Sequence, residues 1–190
     1  MMTNELPAKR ISSYGEQRKF RGLEGFAISR RLQKARILID KLISQHPNRS
    51  LHVLELGCGF WARNLQILSS EFAKVQFTGV DIKVSKPGKE SINLIEADLT
   101  EWKPNQKYDC VISLAVAEHL LDPRQHFEQI AACLRQSGYA GVTTPTPVAD
   151  FVLEKLGRLG VFDREEIQDH QMYFTENGLK KLAELSGLAV

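Results

Sequence analysis

Two glycines that follow an acidic residue form the first chemical signature of this chain. The run VLELGCG over Val53–Gly59 places Glu55 at the end of an apolar segment, just before Gly57 and Gly59. Glycine lets the backbone approach a ligand closely, and the first N–H groups of a following helix can bind a carboxylate or a phosphate. Glu55 can accept a hydrogen bond from an ammonium group. A ligand with an amine and a carboxylate fits this loop better than a dinucleotide, although Gly57, Gly59 and Ala62 also satisfy the dinucleotide pattern.

Two further acids follow later apolar segments, and each is placed to bind part of a nucleoside. Asp81 directly follows the run FTGV, and an acid at the end of a strand can accept both hydroxyls of a ribose. The run EADL contains Asp98, which can accept the exocyclic amine of adenine while the next backbone N–H serves a ring nitrogen. The two acids predict an adenosine-type ligand, although each would also be ordinary at the surface.

Glu118 and two histidines are the candidates for proton chemistry. The run SLAVAEH ends in Glu118 and His119, and His170 precedes a helical pattern for which Thr175 is the expected N-cap. Histidine can accept a proton near neutral pH, so His119 and His170 are candidate general bases. Packing or capping is the ordinary explanation for each of these residues.

The elements that must position these residues alternate along the chain. Apolar runs predict five strands, and helical spacings predict five helices: strands over 51–56, 75–80, 92–95, 108–114 and 139–144, and helices over about 25–45, 62–72, 123–135, 148–159 and 175–186. This alternation implies βαβ units and a parallel sheet, whose ligands bind outside the carboxyl ends of the strands. The polar residues and glycines that follow the predicted strands, which we call the polar signatures, all lie at that edge of the sheet.

Local signals refine the helix boundaries. Asp122 and Pro123 are expected to begin the helix after strand four, and Gly138 is expected to stop it. Only ten residues separate Asp81 from Ile92, so the sequence predicts a loop or a single turn where a crossover helix would normally lie.

Composition limits the class of protein. The chain has 190 residues, 43% hydrophobic and 25% charged, which is typical of one globular domain. Prolines and glycines interrupt the beginning of the chain, so we expect an irregular or disordered segment over 1–24 and a folded domain over 25–190. No apolar run approaches the ~20 residues of a membrane span, and the N-terminus lacks the apolar core of a secretory signal. Three widely spaced cysteines without metal-ligand spacing are typical of reduced thiols in a cytoplasmic protein, with no metal site expected.

Charge is distributed unevenly along the chain. Residues 1–40 contain nine Lys or Arg against four Asp or Glu. Such a basic flank can attract an anionic acceptor, although a solvated helix face is its ordinary explanation. Few aromatic residues lie among these basic residues, which disfavours nucleic-acid binding.

Taken together, the signatures resemble class I S-adenosylmethionine-dependent methyltransferases of the small-molecule group. The resemblance covers roughly Leu51 to Ser186 and is carried by the runs VLELGCGF, FTGVDI, EADL, YDCVISLAVAEHLLDP and GYAGVTTPTP. It implies a three-layer, Rossmann-like α/β sandwich with a mostly parallel sheet in the order 3-2-1-4-5. The family closes this sheet with a C-terminal antiparallel hairpin, which would be missing or truncated here. An uncovered strand edge would favour a homodimer.

The resemblance also implies a cofactor, S-adenosyl-L-methionine, and a role for each signature. The methionine part would be held by Glu55, Gly57, Cys58 and Gly59, the ribose and adenine by Asp81, Ile82, Asp98 and Leu99, and the floor near the sulfonium by Ala115 to His119, including Glu118. The implied activity is methyl transfer to an O, N or C atom of a small-molecule acceptor. His119 and His170 would serve as bases only where the acceptor loses a proton.

One other function remains open, and two more are disfavoured. A non-catalytic cofactor-binding module or assembly subunit is one alternative, because Trp61 stands where the family usually has a third glycine. An NAD(P)-dependent oxidoreductase explains neither Glu55 nor the pair of Glu118 and His119. The Asn/Asp-Pro-Pro-aromatic motif of enzymes that methylate base amino groups is absent after strand four, where the sequence reads AVAE.

Overall fold

The computed structural model describes residues 23–85, 91–145 and 172–190, and for 23–27 it describes the backbone only. The helix predicted over 148–159 and the candidate base His170 lie outside these ranges. So do most of the N-terminal segment and part of the connection between the second and third strands.

Four helices and five strands alternate along the described chain. They are α1 (Leu23–Gln45), β1 (Leu51–Leu56), α2 (Arg63–Glu71), β2 (Val75–Asp81), β3 (Ile92–Glu96), β4 (Tyr108–Leu114), α3 (Pro123–Cys133), β5 (Leu134–Thr143) and α4 (Glu176–Leu185), with a short 3₁₀ helix over Ala117–His119. Their ends lie within two residues of the predicted ends, except at the start of β5. Residues 82 and 83 form a bend and residues 84 and 85 belong to no helix or strand, as expected for the short connection after β2.

All five described strands join one parallel sheet in the order β3-β2-β1-β4-β5, which confirms the expected α/β architecture. Glu55 in β1 lies beside Gly79 of β2 and Ile112 of β4. The strands run in the same direction, so their carboxyl ends meet at one edge of the sheet.

The sheet lies between two layers of helices. Side chains alternate across a strand, so Val53 belongs to the core cluster that packs against α1 and α2, and Leu54 belongs to the cluster that packs against α3. The apolar face predicted for α1 is confirmed by its four most buried side chains, which are 0–2% exposed: Leu32, Ala35, Ile39 and Leu42. No helix in the described ranges is both long and apolar enough to cross a membrane.

The junction between α3 and β5 corrects one prediction. Asp122 caps α3 as expected, because its side chain accepts a hydrogen bond from the Gln125 N–H at 3.1 Å. The helix ends at Cys133, however, and not near Gly138. Gly138 lies inside β5, where a Cβ would stand 2.9 Å from the carbonyl oxygen of Asp109. The glycine is therefore required by close strand packing and not by a helix end.

Asp109 links three strands near their amino ends, opposite the carboxyl ends where the polar signatures lie. Its carboxylate is 1% exposed and accepts hydrogen bonds from Arg49 Nη2 at 2.6 Å, from the His52 N–H at 2.9 Å and from Arg135 Nη1 at 3.1 Å. Arg135 belongs to β5, and Arg49 lies two residues before the start of β1. The register of β4 and β5 shifts at this point, between Tyr108 and Cys110.

Candidate functional site

Glu55 is fully buried at the carboxyl end of β1, and its two carboxyl oxygens differ in their hydrogen bonding. Asn64 Nδ2 donates to Glu55 Oε1 at 2.7 Å, whereas Oε2 has no hydrogen-bond partner among the described residues. Burial raises the pKa of Glu55 to about 8; Asn64 opposes this shift and nearby Asp81 adds to it. An unpaired buried carboxyl is costly, so Oε2 is suited to receive a cationic donor.

Asn64 is a site residue that sequence reasoning missed. It lies in the first turn of α2, and its amide holds one Glu55 oxygen in place. The available signal was weak, since it consists only of a polar amide early in the helix that follows the glycine loop.

The glycine loop leaves open space at one glycine and packs tightly at the other. Both glycines have left-handed backbones, with φ of 74° at Gly57 and 72° at Gly59. A Cβ on Gly57 would lie 2.4 Å from Val116 Cγ2, whereas a Cβ on Gly59 would meet no atom of the described residues within 4 Å. The loop leads to Ala62, which precedes α2 and makes no side-chain cap. The first N–H groups of α2 can therefore bind an anion.

Cys58 and Trp61 occupy different environments in this loop. The Cys58 side chain is 5% exposed and packs in the core cluster, and burial raises the pKa of its thiol. Trp61 packs edge-on against Phe60 with ring centroids 4.9 Å apart. The buried indole N–H of Trp61 has no partner within the described ranges. Trp61 thus occupies the place of the third glycine with a bulky, partly buried side chain.

Asp81 joins the glycine loop to the end of β2. Its Oδ2 accepts the Gly59 N–H at 2.8 Å, and the backbone N–H groups of Ile82 and Lys83 also bind this carboxylate. Burial raises the pKa of Asp81, while these backbone hydrogen bonds oppose the rise. The Asp81 carbonyl accepts the Ala97 N–H at 2.9 Å, so the segment after β3 lies next to the end of β2. Ile82 is 41% exposed at this edge.

Asp98 shapes the turn that contains it. Its Oδ1 accepts the Thr100 N–H at 2.8 Å and the Thr100 hydroxyl at 2.7 Å. One carboxyl oxygen of this exposed residue is therefore used within the turn, which the sequence did not predict. Leu99 is half-buried against the core, and its carbonyl accepts a hydrogen bond from Gln129 at 2.8 Å.

The segment after β4 lies next to the glycine loop. Ala115 has a left-handed backbone with φ of 61°, and its N–H donates to the Thr143 carbonyl of β5 at 2.8 Å. Glu118 is buried at 1% exposure, whereas His119 is exposed. The Glu118 carbonyl accepts the Met172 N–H at 3.3 Å, which ties the segment before α4 to this loop.

Ser113 and His126 form a buried hydrogen-bonded pair at the end of β4, just before this segment, and the sequence did not predict it. Ser113 Oγ lies 2.8 Å from His126 Nε2, and the two residues are 0% and 3% exposed. Burial lowers the pKa of His126 to about 4, against an opposing interaction with Gln129. The ring is therefore neutral at physiological pH and acts as a hydrogen-bonding member of the core.

The structure brings most of the expected residues to one edge. The ends of β1, β2 and β4 and the loops after them hold Glu55, Gly57, Gly59, Asp81, Ala115 and Glu118, and the Asp81–Ala97 hydrogen bond adds the segment with Asp98 and Leu99. Among the described residues, no group of three or more His, Cys, Asp or Glu could hold a metal ion.

Alanine substitutions at the two loop glycines are expected to have different consequences. Gly57→Ala should lower the free energy of unfolding by about 2–4 kcal/mol, because it adds a clash with Val116 to the cost of a left-handed alanine. Gly59→Ala should cost only about 1–2 kcal/mol, from the backbone alone. Urea denaturation measures both, and Gly57→Ala with Val116→Ala should recover part of the loss. Equal destabilisation by the two single substitutions would contradict this difference.

Several known proteins with similar sequences or folds are methyltransferases. The family model described as "Methyltransferase domain" matches residues 27–190. Trans-aconitate 2-methyltransferase of Escherichia coli is 24% identical over 111 residues, which cover 55% of this chain and 44% of that protein. The chain thus spans less than half the length of this relative.

Solved structures share the fold at low sequence identity. The plantazolicin methyltransferase BpumL in complex with a triazolic desmethylPZN analogue and SAH has a TM-score of 0.66 at 17% identity, over 93% of this chain and 68% of that one. Haemonchus contortus phosphoethanolamine N-methyltransferase 2 in complex with S-adenosyl-L-methionine has a TM-score of 0.57 at 18% identity, over 80% and 36%. The similarity to these two solved structures shows the fold alone. The family model matches most of the sequence and shows the family. The chain belongs to the methyltransferase domain family.

Proposed function

We propose that residues 25–190 form an S-adenosylmethionine-dependent methyltransferase domain that methylates an O, N or C atom of a small-molecule acceptor. The observation that carries this proposal is the buried Glu55 oxygen that finds no hydrogen-bond partner in the described part of the chain; it lies beside a left-handed glycine loop and Asp81. A cationic amine, an anionic carboxylate and a ribose diol are the groups that these features would bind together. Family membership and the cofactors named for BpumL and the phosphoethanolamine enzyme support the same ligand.

The residues present fit this cofactor. Glu55 Oε2 would accept from the ammonium, the uncapped N-terminus of α2 would face the carboxylate, and Asp81 would accept from the ribose. Ile82, Asp98 and Leu99 would surround the adenine, and Ala115 to Glu118 would form the floor. When bound, the cofactor supplies a methyl group that its sulfonium already activates.

The contribution of this chain is then mainly alignment and exclusion of water, which can be worth ~7–11 kcal/mol. A base is required only where the acceptor loses a proton. His119, exposed next to buried Glu118, and His170 are the side chains we propose for that role.

Ligand-induced stabilisation tests the cofactor assignment. S-adenosylhomocysteine at 100 times its Kd should add ~2.7 kcal/mol to the free energy of unfolding, which raises Tm by roughly 5–10 °C for a chain of this size. Asp81→Asn keeps one acceptor oxygen for Gly59 but should lose most of the shift, because its amide cannot accept from the ribose. Asp40→Asn, an exposed change on α1, is the control. An unchanged melting temperature in the wild type would refute the assignment.

Trp61 favours a second candidate, a non-catalytic cofactor-binding module or assembly subunit. Its bulky ring replaces a glycine beside the proposed methionine site. Tight cofactor binding without methyl transfer to any of a broad panel of acceptors would support that function.

We infer that the acceptor is anionic. The nine basic residues among 1–40 favour it, and so does the tricarboxylate named for the Escherichia coli relative. Methylation of di- and tricarboxylates, in preference to neutral acceptors of the same size, is the expected result of an acceptor screen.

A cytoplasmic location and a homodimer are further parts of the proposal. Three buried free cysteines favour a reducing compartment. In the described sheet β5 pairs only with β4, which leaves a strand edge for a second copy to cover. Size-exclusion chromatography with light scattering should give twice the 21.5 kDa chain mass.

A further inference from the structure

Gln129 of α3 makes two hydrogen bonds to the segment that follows β3. Its Nε2 donates to the Leu99 carbonyl at 2.8 Å and to the Trp102 carbonyl at 2.8 Å. A glutamine amide has two N–H donors, so both are used on this one segment. The side chain is half-buried between the helix and the segment, where two unpaired carbonyls would be costly.

The segment over 97–102 needs such partners because it is neither helix nor strand. The Asp98 carbonyl accepts the N–H groups of Glu101 and Trp102 within the turn, whereas a carbonyl that no backbone N–H reaches must find a side-chain or water donor. Asp98 fixes the turn from within through Thr100. Gln125, one turn before Gln129, donates a longer hydrogen bond of 3.2 Å to the Thr100 carbonyl.

Helix α3 is a firm support for this segment. Its inner face is buried, with Phe127, Ile130 and Cys133 each no more than 2% exposed. It also contacts the base of the neighbouring loop, through the hydrogen bond between His126 and Ser113 of β4. Gln129 therefore fixes residues 97–102 relative to the end of β4.

We propose that Gln129 is a positioning residue for nucleobase recognition, which holds the Asp98–Leu99 segment in the shape that reads the adenine edge. The inference rests on the proposed function, since it assumes that this edge binds the cofactor. A segment held in its binding conformation loses less entropy when the ligand binds. Adenine affinity and selectivity should therefore depend on donors at position 129, although Gln129 itself need not contact the ligand.

Three substitutions separate donor chemistry from volume. Gln129→Glu has nearly the same shape but presents hydrogen-bond acceptors to the two backbone carbonyls. Gln129→Met has a similar length and no hydrogen-bond donor, and Gln129→Lys restores N–H donors. The Kd of S-adenosylhomocysteine should rise about tenfold in Gln129→Met, more in Gln129→Glu, and by less than about threefold in Gln129→Lys. Glu128→Gln, which changes an exposed side chain of the same helix that pairs with Arg124, is the control, with an expected change below about twofold.

Selectivity provides a readout that a loss of stability alone would not change. S-inosylhomocysteine lacks the exocyclic amine of adenine, so the wild type should bind it about tenfold more weakly than S-adenosylhomocysteine. That ratio should fall severalfold in Gln129→Met and return in Gln129→Lys. If Gln129→Glu fails to fold, the comparison of Met with Lys gives the same test.

Two results would count against the inference, and they differ from failure of the proposed function. An unchanged selectivity ratio in Gln129→Met, or equal losses in the Met and Lys variants, would overturn the role of Gln129 alone. Absence of S-adenosylhomocysteine binding by the wild type would overturn the proposed function first, and this inference with it.

Discussion

Replacing Glu55 with glutamine is expected to stabilise the ligand-free protein near pH 7 while weakening its binding of S-adenosylhomocysteine about tenfold or more. The carboxyl is fully buried, and its pKa is raised from 4.5 to about 8. The pKa of Glu55 in the folded state lies above its value in the unfolded state. The contribution of the protonated Glu55 carboxyl to stability is therefore fully present below about pH 4.5 and is lost as pH rises towards 8. The loss at pH 7 amounts to about 3 kcal/mol. Glutamine does not ionise and avoids it.

Urea denaturation at several pH values checks this prediction. The free energy of unfolding of the wild type should fall between about pH 5 and pH 8, and that of Glu55→Gln should fall much less. Glu71→Gln is the control, because its exposed ion pair with Arg36 should change stability by less than about 1 kcal/mol. A wild-type stability that does not change across this range would contradict the raised pKa.

The same carboxyl should couple ligand binding to proton release. In the ligand-free protein at pH 7 Glu55 is mostly protonated, whereas an ammonium bound at Oε2 favours the ionised form. Wild-type protein should therefore release part of a proton on binding S-adenosylhomocysteine. Calorimetric titrations in buffers of different ionisation enthalpy would detect this release, and Glu55→Gln should show none from this group.

Removing the Asp109 carboxylate is expected to cost about 3 kcal/mol of folding stability and to leave ligand binding unchanged. Asp109→Ala leaves the His52 N–H and two arginines without their shared acceptor. Removing one partner of a buried ion pair usually costs ~3–5 kcal/mol. The lower end applies here because the side chains of Arg49 and Arg135 are 43% and 34% exposed, so water can solvate them.

Asp109→Asn should lose about half as much, since it keeps one acceptor oxygen. Glu128→Ala is the control: it breaks the exposed pair with Arg124, which should be worth less than about 0.5 kcal/mol. Urea denaturation gives these values, and the Kd of S-adenosylhomocysteine should stay constant because Asp109 lies at the opposite edge of the sheet. A stability loss below about 1 kcal/mol in Asp109→Ala would show that the ion cluster is not important for folding.

The sequence by itself determined the elements and the edge of the sheet that carries the polar signatures. Helical spacing identified the buried face of α1, continuous apolar runs identified strands such as Tyr108–Leu114, and the run with Glu55 and Gly57 located the loop. These signals are readable because they depend on residues close together in the chain. The periodicity of apolar residues follows from local backbone geometry. A glycine at a sharp turn is required by the φ angle of that one residue.

Only the tertiary structure decided which side chains support the site. Asn64, Gln129 and His126 act through partners that are 9 to 30 residues distant, and no local pattern marks a donor whose acceptor lies on another element. Gly138 was misread for the same reason, because its constraint comes from the backbone of β4. The raised pKa of Glu55 likewise depends on burial, which exists only once the helices have covered the sheet.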